Sequence, residues 1–279
     1  MPSIILRTPI TFAVPGDTTH APMVHASVNG VATKLILDTG CTDHILTMEL
    51  VARAGLSVQP GEEGTDAAGA SVESWSIGSL PITIGDRTLP LDNVVAFHGP
   101  EPFEGWGIGG FLSPQHLHPT ANVILDLAGD ELTIVEGDAG VLGAELAARF
   151  PNLQPIWLDR APGDTTVLIH ASVEPHPEVV TMLDSGGKAT QFSDTAIPGL
   201  ATDSLEAAGR GVSGTQVHGS VVTDQALRVG DATLPLPRLF VRPASSAAAP
   251  GLVGMDLLRG TVLMVATDLD RRVLWLVPR

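Results

Sequence analysis

Two short motifs in the chain each place an aspartate directly after an apolar run and directly before a hydroxyl residue and a glycine. They are Leu35-Ile36-Leu37-Asp38-Thr39-Gly40 and Met182-Leu183-Asp184-Ser185-Gly186, with the aspartates 146 residues apart in a chain of 279. An ionised carboxylate that follows a buried strand is costly unless it is hydrogen-bonded or neutralised. The hydroxyl groups, and backbone N–H groups that a glycine leaves accessible, can supply those hydrogen bonds.

If the two turns meet, Asp38 and Asp184 share a proton. Two charges ~3 Å apart in an effective dielectric of ~20 repel by roughly 5 kcal/mol, or about 4 pKa units. One carboxyl group therefore keeps its proton and the other gives it up, and the pair can hold a water molecule. The ionised partner takes a proton from that water as it attacks a carbonyl carbon, and the protonated partner donates to the carbonyl oxygen. This chemistry hydrolyses a peptide bond without a metal or a covalent intermediate.

The two halves of the chain resemble each other. Three further pairs of segments recur at offsets of 145 to 147 residues: Pro15–Thr19 with Pro162–Thr166, His25–Val28 with His170–Val173, and Gly85–Leu91 with Gly230–Leu236. Such a repeat predicts duplicated structural units. We therefore expect two homologous lobes, 1–140 and 152–279, joined by a linker over 141–151 that contains a short helix ended by Pro151. A pseudo-twofold axis between the lobes would bring Asp38 and Asp184 together.

The pattern of the remaining sequence is typical of an all-β protein, with short segments rich in Val, Ile, Leu and Thr between Gly, Pro, Asp and Asn. Predicted strands in the first half are Met23–Val28, Lys34–Leu37, Ser74–Ile77, Pro81–Ile84, Asn93–Phe97 and Val123–Asp126. Four segments at the ends of the lobes are expected to form a sheet between them: Ser3–Leu6, Glu131–Val135, Pro155–Leu158 and Arg272–Val277. Helices are predicted at Thr47–Ala54, ended by Gly55, and from Ser113-Pro114.

Asp38-Thr39-Gly40 and Asp184-Ser185-Gly186 resemble the active-site turns of aspartic proteases. The segment Gly251-Leu252-Val253-Gly254 resembles the second motif of the retropepsin-like branch, and Gly107-Ile108-Gly109-Gly110-Phe111-Leu112 lies at the matching place in the first half. The resemblance implies two closed-barrel-like β lobes of the acid-protease fold with a cleft between them, as in single-chain pepsin-like enzymes. It implies that Asp38 and Asp184 are catalytic, that Thr39, Gly40, Ser185 and Gly186 support them, and that Gly110 and Gly254 pack beneath the turns.

The family also has a β-hairpin, the flap, that closes over the substrate. Asp66–Trp75 lies at that place here and Gly211–His218 is its counterpart, so Gly69, Ala70, Ser71, Gly214 and Thr215 are expected to contact a peptide. Small residues at a hairpin tip suit a lid that moves. Pepsin-like enzymes carry a tyrosine on the flap and this chain has none, so Trp75 either replaces it or packs in the core. Asp43 either lines a substrate pocket, as the resemblance implies, or is a solvated carboxylate.

Composition limits the classes of partner. The formal net charge is −16, with 31 acidic and 15 basic residues, which disfavours nucleic acid and anionic membranes as partners. The resemblance to aspartic proteases implies a peptide or protein substrate. Cys41 is the single cysteine, which excludes an intramolecular disulfide and fits a reducing compartment. No apolar run reaches the ~20 residues of a membrane span or forms a signal-peptide core. We expect a cytoplasmic monomer that uses no cofactor.

Three alternatives remain open at this stage. The chain could be a catalytically silent, protease-like module that binds an extended peptide by strand addition. His116 and His118 could form a metal pair if that segment were extended, although no cysteine or acidic cluster accompanies them. Paired carboxylates also serve glycosidases, which need ~5 to 9 Å between the groups and no duplicated turns.

Overall fold

The protein is described from a computed structural model, which covers residues 2–12, 21–66, 68–159, 165–200, 205–244, 249–266 and 272–279. The repeat Pro15–Thr19 and residues 162–164 of its counterpart lie outside the described residues. The strands, in chain order, are β1 (Ser3–Pro9), β2 (Met23–Val28), β3 (Val31–Leu37), β4 (His44–Thr47), β5 (Gln59–Pro60), β6 (Gly64–Thr65), β7 (Ser71–Val72), β8 (Ser74–Ile84), β9 (Arg87–Phe97), β10 (Ile108–Leu112), β11 (Asn122–Asp126), β12 (Glu131–Glu136), β13 (Leu153–Asp159), β14 (Leu168–Val173), β15 (Val179–Leu183), β16 (Gln191–Ser193), β17 (Leu205–Arg210), β18 (Gln216–Val229), β19 (Ala232–Arg242), β20 (Gly251–Val253), β21 (Val262–Val265) and β22 (Arg272–Pro278). The helices are α1 (Met48–Arg53), α2 (Pro102–Trp106), α3 (Ala139–Arg149) and α4 (Met255–Leu258), with a 3₁₀ turn at Pro114–His116.

The strands form two closed barrels of the same topology. In the first, the order is β2-β3-β10-β4-β9-β8, and β8 also pairs with β2; in the second, the order is β14-β15-β20-β16-β19-β18, and β18 also pairs with β14. In each barrel the strand that leads to an aspartate, β3 or β15, runs parallel to β10 or β20. Closure leaves few free edges, and it fixes the ends of β3 and β15 relative to the rest of each lobe.

A six-stranded sheet joins the two lobes in the order β1-β12-β11-β21-β22-β13. All four segments that the sequence predicted for this sheet are strands in it. Its two central strands, β11 and β21, come from different halves of the chain and pair antiparallel, with Val123 opposite Val265. Helix α3 packs on this sheet through Leu142 and Leu146. Its bounds agree closely with those of the helix that the sequence predicted in the linker. The chain therefore has the all-β, two-lobed architecture that the repeat predicted.

Buried side chains of the barrel strands form the core. Along β9, Leu91, Val94 and Ala96 are fully buried in a large apolar cluster, and both barrels contribute to that cluster. Burial of one such leucine or valine side chain stabilises the fold by roughly 1.5–3 kcal/mol. The short helix α1 begins where predicted, because the Thr47 hydroxyl accepts a hydrogen bond from the N–H of Leu50 at 3.3 Å. No helix in the described ranges is long and apolar enough to cross a membrane.

The pairing of β10 corrects one sequence prediction. Gly110 lies opposite Leu35 and Gly251 opposite Thr181, and Leu35 and Thr181 hold the same place before the two aspartates. Gly110 is therefore equivalent to Gly251, and its predicted match with Gly254 was wrong by three residues. The reason is that the two connections differ in length, so that equal spacing from the aspartate does not mean equal register.

Candidate active site

Each aspartate stands at the end of a buried strand, where the chain turns. The N–H of Asp38 donates to the carbonyl oxygen of Leu112 at 2.8 Å, and that of Asp184 donates to the carbonyl oxygen of Val253 at 2.9 Å. Directly after these residues, Cys41 N–H bonds back to the Asp38 carbonyl oxygen. Backbone pairing with β10 and β20 thus fixes where both turns begin.

Each carboxylate is held by groups of its own turn. The N–H of Gly40 donates to Asp38 Oδ1 at 2.8 Å, and the thiol of Cys41 donates to Asp38 Oδ2 at 3.1 Å. In the second turn, the N–H groups of Gly186 and Gly187 donate to Asp184 Oδ1 at 3.0 and 2.8 Å. These bonds orient both side chains before any substrate arrives, because they leave little rotational freedom to each carboxylate.

The hydroxyl residues after the aspartates link the two turns to each other. The Thr39 hydroxyl donates to the Leu183 carbonyl oxygen at 2.5 Å and accepts from the N–H of Ser185 at 3.0 Å. Reciprocally, the Ser185 hydroxyl donates to the Leu37 carbonyl oxygen at 2.7 Å and accepts from the N–H of Thr39 at 3.1 Å. Thr39 and Ser185 are both fully buried. The four bonds cross between lobes, so they lock the position of one turn relative to the other.

The side chains of Asp38 and Asp184 meet and share a hydrogen bond. Asp184 is only 6% exposed, whereas Asp38 is half-buried. Burial raises the pKa of Asp184 well above its usual range, and the charge of Asp38 and the hydrogen bond to it raise that pKa further. Burial and the neighbouring carboxyl group therefore favour one retained proton on the pair.

Glycine is required after each aspartate because of the space, not the backbone angle. A Cβ atom on Gly186 would lie 2.5 Å from Cγ of Asp38, and one on Gly40 would lie 3.0 Å from Cγ of Asp184. The distance at Gly186 is shorter than real Cβ atoms show without a shift of the structure, and the distance at Gly40 is tighter than most real Cβ contacts. Each glycine thus makes room for the carboxylate of the opposite lobe.

The two predicted flaps are hairpins, and their tips touch each other. In the first, β6 pairs with β7, and Gly69 in the turn has a φ of +76°. In the second, β17 pairs with β18, and Gly214 has a φ of +85°. Ala70 and Ser71 lie in the first hairpin and Thr215 in the second, as predicted. A backbone position with positive φ favours glycine, which explains why each tip has a glycine.

Asp66 and Ser213 connect the hairpins. The Asp66 carboxylate accepts from the N–H groups of Ala68 and Ala70 in its own turn, each at 2.9 Å. Its other oxygen accepts from the N–H of Ser213 at 3.1 Å and from the Ser213 hydroxyl at 2.6 Å. Burial opposes the charge of Asp66, but the hydrogen bonds from Ser213, Ala70 and Ala68 prevail and hold its pKa below the usual value. Sequence reasoning missed this contact, because the repeat pairs Asp66 with Gly211 and does not tell how the two hairpin tips face each other.

Each hairpin tip also packs on the opposite lobe. Val212 packs on a cluster of the first lobe that includes Phe97, Phe111 and Cys41, the residue that contacts Asp38. Ala68 packs on a cluster of the second lobe that includes Phe240. The hairpins therefore close the cleft above the two carboxylates.

The other predicted residues make local contacts of their own. Trp75 is at the base of the first hairpin, packs against the core, and meets the His98 ring edge-on at 5.0 Å. Asp43 is half-buried and accepts a hydrogen bond from the Thr42 hydroxyl at 2.7 Å. His116 lies in a 3₁₀ turn, so its segment is not extended. Within the described ranges, no three His, Cys, Asp or Glu side chains are grouped as metal ligands.

Comparisons with known proteins agree with this architecture. A family model described as aspartyl protease matches residues 24–105, which include the first turn and the first hairpin. The aspartic proteinase from Irpex lacteus superposes with a TM-score of 0.57 at 11% sequence identity, over 98% of this chain and 97% of that one. No curated protein sequence matches significantly. The fold is thus the one that aspartic proteinases have.

Proposed function

We propose that this chain, which has the fold of aspartic proteinases, is an aspartic-type endopeptidase that hydrolyses peptide bonds with a water activated between Asp38 and Asp184. The observation that carries the proposal is the meeting of the two carboxyl groups, one of them buried with a raised pKa. A pair with a single shared proton supplies a base and an acid in one place.

The roles of the two carboxyl groups follow from their surroundings. Asp38 is the more open of the two, and it accepts the proton of the water as the water attacks the scissile carbonyl carbon. Asp184 donates its proton to the carbonyl oxygen, so that no free oxyanion has to form. As the C–N bond of the tetrahedral intermediate breaks, Asp38 gives the proton that it took from the water to the leaving nitrogen. Asp184 regains a proton from the hydroxyl group that becomes the new carbonyl. Atoms and charge balance within the pair, the water and the peptide.

Preorganisation supplies much of the rate in such a mechanism. The four bonds of Thr39 and Ser185 hold the two turns together, and the bonds from Gly40, Gly186 and Gly187 orient the carboxylates. Correct orientation of reacting groups can contribute several kcal/mol to the lowering of a barrier. An extended peptide that crosses the pair beneath the two hairpins would expose its carbonyl carbon to the water.

The experiment is cleavage of casein and of a peptide library, with products identified by mass spectrometry. We expect cleavage by the wild type, inhibition by pepstatin, and a loss of at least about 1,000-fold in kcat for Asp38→Asn and for Asp184→Asn, because each removes one proton-transfer group. Asp86→Asn is the matched control, since Asp86 is an exposed carboxylate far from the turns in sequence. Activity that survives in either dyad variant would overturn the assignment.

The same variants distinguish the peptide-binding module from the protease. Hydrogen bonds between the hairpin tips favour a cleft that can retain a bound chain. A module of that kind would bind library peptides with equal affinity in the wild type and in Asp38→Asn, and would cleave none of them. Fluorescence anisotropy of labelled peptides measures the affinity independently of turnover.

A further inference from the structure

The two walls of the cleft are built from equivalent positions but differ in chemistry. In the first lobe, Val94 and Ala96 of β9 point into the core, so Val95 and Phe97 face the other side. Phe97 lies there in the cluster that also holds Cys41 and the hairpin residue Val212. This side of β9 therefore faces the cleft and is apolar.

In the second lobe, the equivalent side of β19 carries a charge. Leu239 and Val241 point into the core, so Phe240 and Arg242 face the cleft side, where Phe240 meets Ala68 of the opposite hairpin. Arg242 is opposite Ser193 of β16 just as Phe97 is opposite Thr47 of β4. Arg242 thus takes the place of Phe97, and it is only 1% exposed.

The neighbouring strand shows the same replacement. Leu46 of β4 and Phe192 of β16 are equivalent core residues, so Ile45 and Gln191 are the equivalent residues on the cleft side. Ile45 packs with the apolar cluster of the first lobe. Gln191 is 6% exposed, and its side-chain carbonyl oxygen has no hydrogen-bond partner. A buried acceptor without a partner is costly, and such a group marks a place where a ligand can bind.

The second-lobe wall is also built from smaller apolar residues. By the register of the two barrels, Phe111 is replaced by Leu252. Ala249 and Leu252 form a small cluster with Met182, whereas the first-lobe cluster contains the contacting rings of Phe97 and Phe111. The second-lobe wall therefore has smaller apolar side chains than the first-lobe wall, and it also carries a guanidinium and an amide.

We propose that Arg242 and Gln191 form a polar subsite that selects a carboxylate or carboxamide side chain of the substrate on one side of the scissile bond, while the Phe97 cluster selects an apolar side chain on the other. The proposal rests on the proposed peptidase function. The pseudo-twofold axis through the dyad relates the two walls, so side chains on opposite sides of the scissile bond meet different walls.

Charge and hydrogen bonding fit this class of side chain. A guanidinium has five N–H donors, so it can hydrogen-bond a substrate side chain while its charge also interacts with the charge of Asp184. Burial lowers the pKa of Arg242, and the charge of Asp184 raises it. The register of β19 places Arg242 on the same side as Phe240, which meets the opposite hairpin. A carboxamide would accept from Arg242 and donate to the Gln191 oxygen. A carboxylate would instead take two bonds from Arg242, so glutamine and glutamate peptides separate the two cases.

The test is a set of peptides that are identical except at the two positions that flank the cleaved bond, where leucine, glutamine and glutamate are placed in turn. We expect kcat/KM of the wild type to be at least about tenfold higher with glutamine or glutamate than with leucine at one position, and the reverse at the other, because a missing hydrogen bond to a buried polar group is costly. Product masses show which side each preference belongs to.

Arg242→Met should remove the polar preference while cleavage of the all-leucine peptide continues, and Gln191→Ile, which copies Ile45, should weaken it mainly for glutamine. Arg228→Met is the control, since Arg228 is exposed, pairs with Glu178 and lies opposite Thr233 at the other end of β19. Equal kcat/KM for all peptides in the wild type, or an unchanged preference in a folded Arg242→Met, would overturn the proposal. If the wild type cleaves none of them, peptide affinities measured with Asp38→Asn test the subsite separately from the peptidase function.

Discussion

The supports beneath the two aspartate turns have the same backbone geometry but different polar side chains. In the first lobe, the N–H of Ser113 donates to Nδ1 of His44 at 3.2 Å; in the second, the N–H of Gly254 donates to the hydroxyl of Thr190 at 3.3 Å. His44 and Thr190 are each six residues after the aspartate. A hydrogen-bond acceptor is needed at this place, and either an imidazole or a hydroxyl satisfies that need.

The next residues extend the contrast. Gln115 donates to the Cys41 carbonyl oxygen at 2.8 Å and to the Thr165 carbonyl oxygen at 2.9 Å, so it spans both lobes. Asp256, at the equivalent place, accepts from the N–H and the hydroxyl of Thr190 within its own lobe. Duplication has thus preserved the geometry of each turn, while the chemistry that maintains it has diverged.

The largest expected effect tests what the lobes still share. Thr39→Ala removes a hydroxyl that serves the buried Leu183 carbonyl oxygen and the Ser185 N–H, and Ser185→Ala does the same to Leu37 and Thr39. Each buried group left without a partner costs about 1–3 kcal/mol, so each variant should lose roughly 3 kcal/mol of stability and most of its activity. Urea unfolding measures the loss.

Thr39→Ser is the control, because serine keeps the hydroxyl group. A large loss in Thr39→Ala with none in Ser185→Ala would mean that the link between the turns is carried from one side only, contrary to the symmetric geometry.

The second prediction concerns the support that differs. Burial lowers the pKa of His44 to about 4. Since the folded pKa lies below the unfolded value of about 6.5, His44 contributes stability that is present above pH 6.5 and is lost as the pH falls towards 4. The loss should amount to roughly 3 kcal/mol over this range. Urea unfolding at pH 7, 5.5 and 4 measures it.

His44→Thr, which copies Thr190, should remove this part of the pH dependence. The variant loses packing at pH 7, so it should be less stable than the wild type there and should approach or exceed it at pH 4. Parallel pH profiles of the two proteins would contradict a buried neutral His44.

These supports show what the sequence could and could not predict. The repeat, read together with the resemblance to aspartic proteases, was enough to pair Asp38 with Asp184, to place both hairpins, and to predict four strands of the six-stranded sheet, because each depends on local pattern and on one offset. It failed for Gly110, since register is set by pairing with β3 and not by spacing. It also missed Asp66 with Ser213 and Arg242 with the cleft, because those contacts depend on how the lobes face each other.

The third prediction compares the hairpin tips. Asp66 has Gly211 as its counterpart in the second repeat, so the contact between tips has a carboxylate on one side only. Asp66→Ala should weaken closure and raise the rate of peptide association several-fold, because each lost charge-assisted hydrogen bond is worth about 1.5–3 kcal/mol in the closed state. Stopped-flow binding of a labelled peptide to Asp38→Asn with and without Asp66→Ala measures this rate.

The contact between the hairpin tips depends on pH, and the direction of that dependence follows from the lowered pKa of Asp66. The contact is present above the unfolded pKa and persists below it, and it is lost only as the pH falls through the lower folded value. Ser213→Ala should reproduce part of the effect. An association rate that is the same in all variants would show that the tips do not limit access to the cleft.

The smallest effect is expected at Cys41, which corresponds to Gly187 of the second turn. The thiol donates to Asp38, whereas the equivalent bond to Asp184 comes from the N–H of Gly187. Burial raises the pKa of the Cys41 thiol, and the charge of Asp38 and the hydrogen bond to it raise that pKa further, so the group stays protonated and reacts slowly with iodoacetamide at pH 7.

Cys41→Gly should lower kcat/KM by no more than about tenfold, since a single neutral hydrogen bond contributes roughly 0.5–1.5 kcal/mol. Because Cys41 is the single cysteine of the chain, intact mass reports its alkylation directly. Rapid alkylation, or a loss near that of Asp38→Asn, would mean that the two turns differ in function and not only in the donor that each one uses.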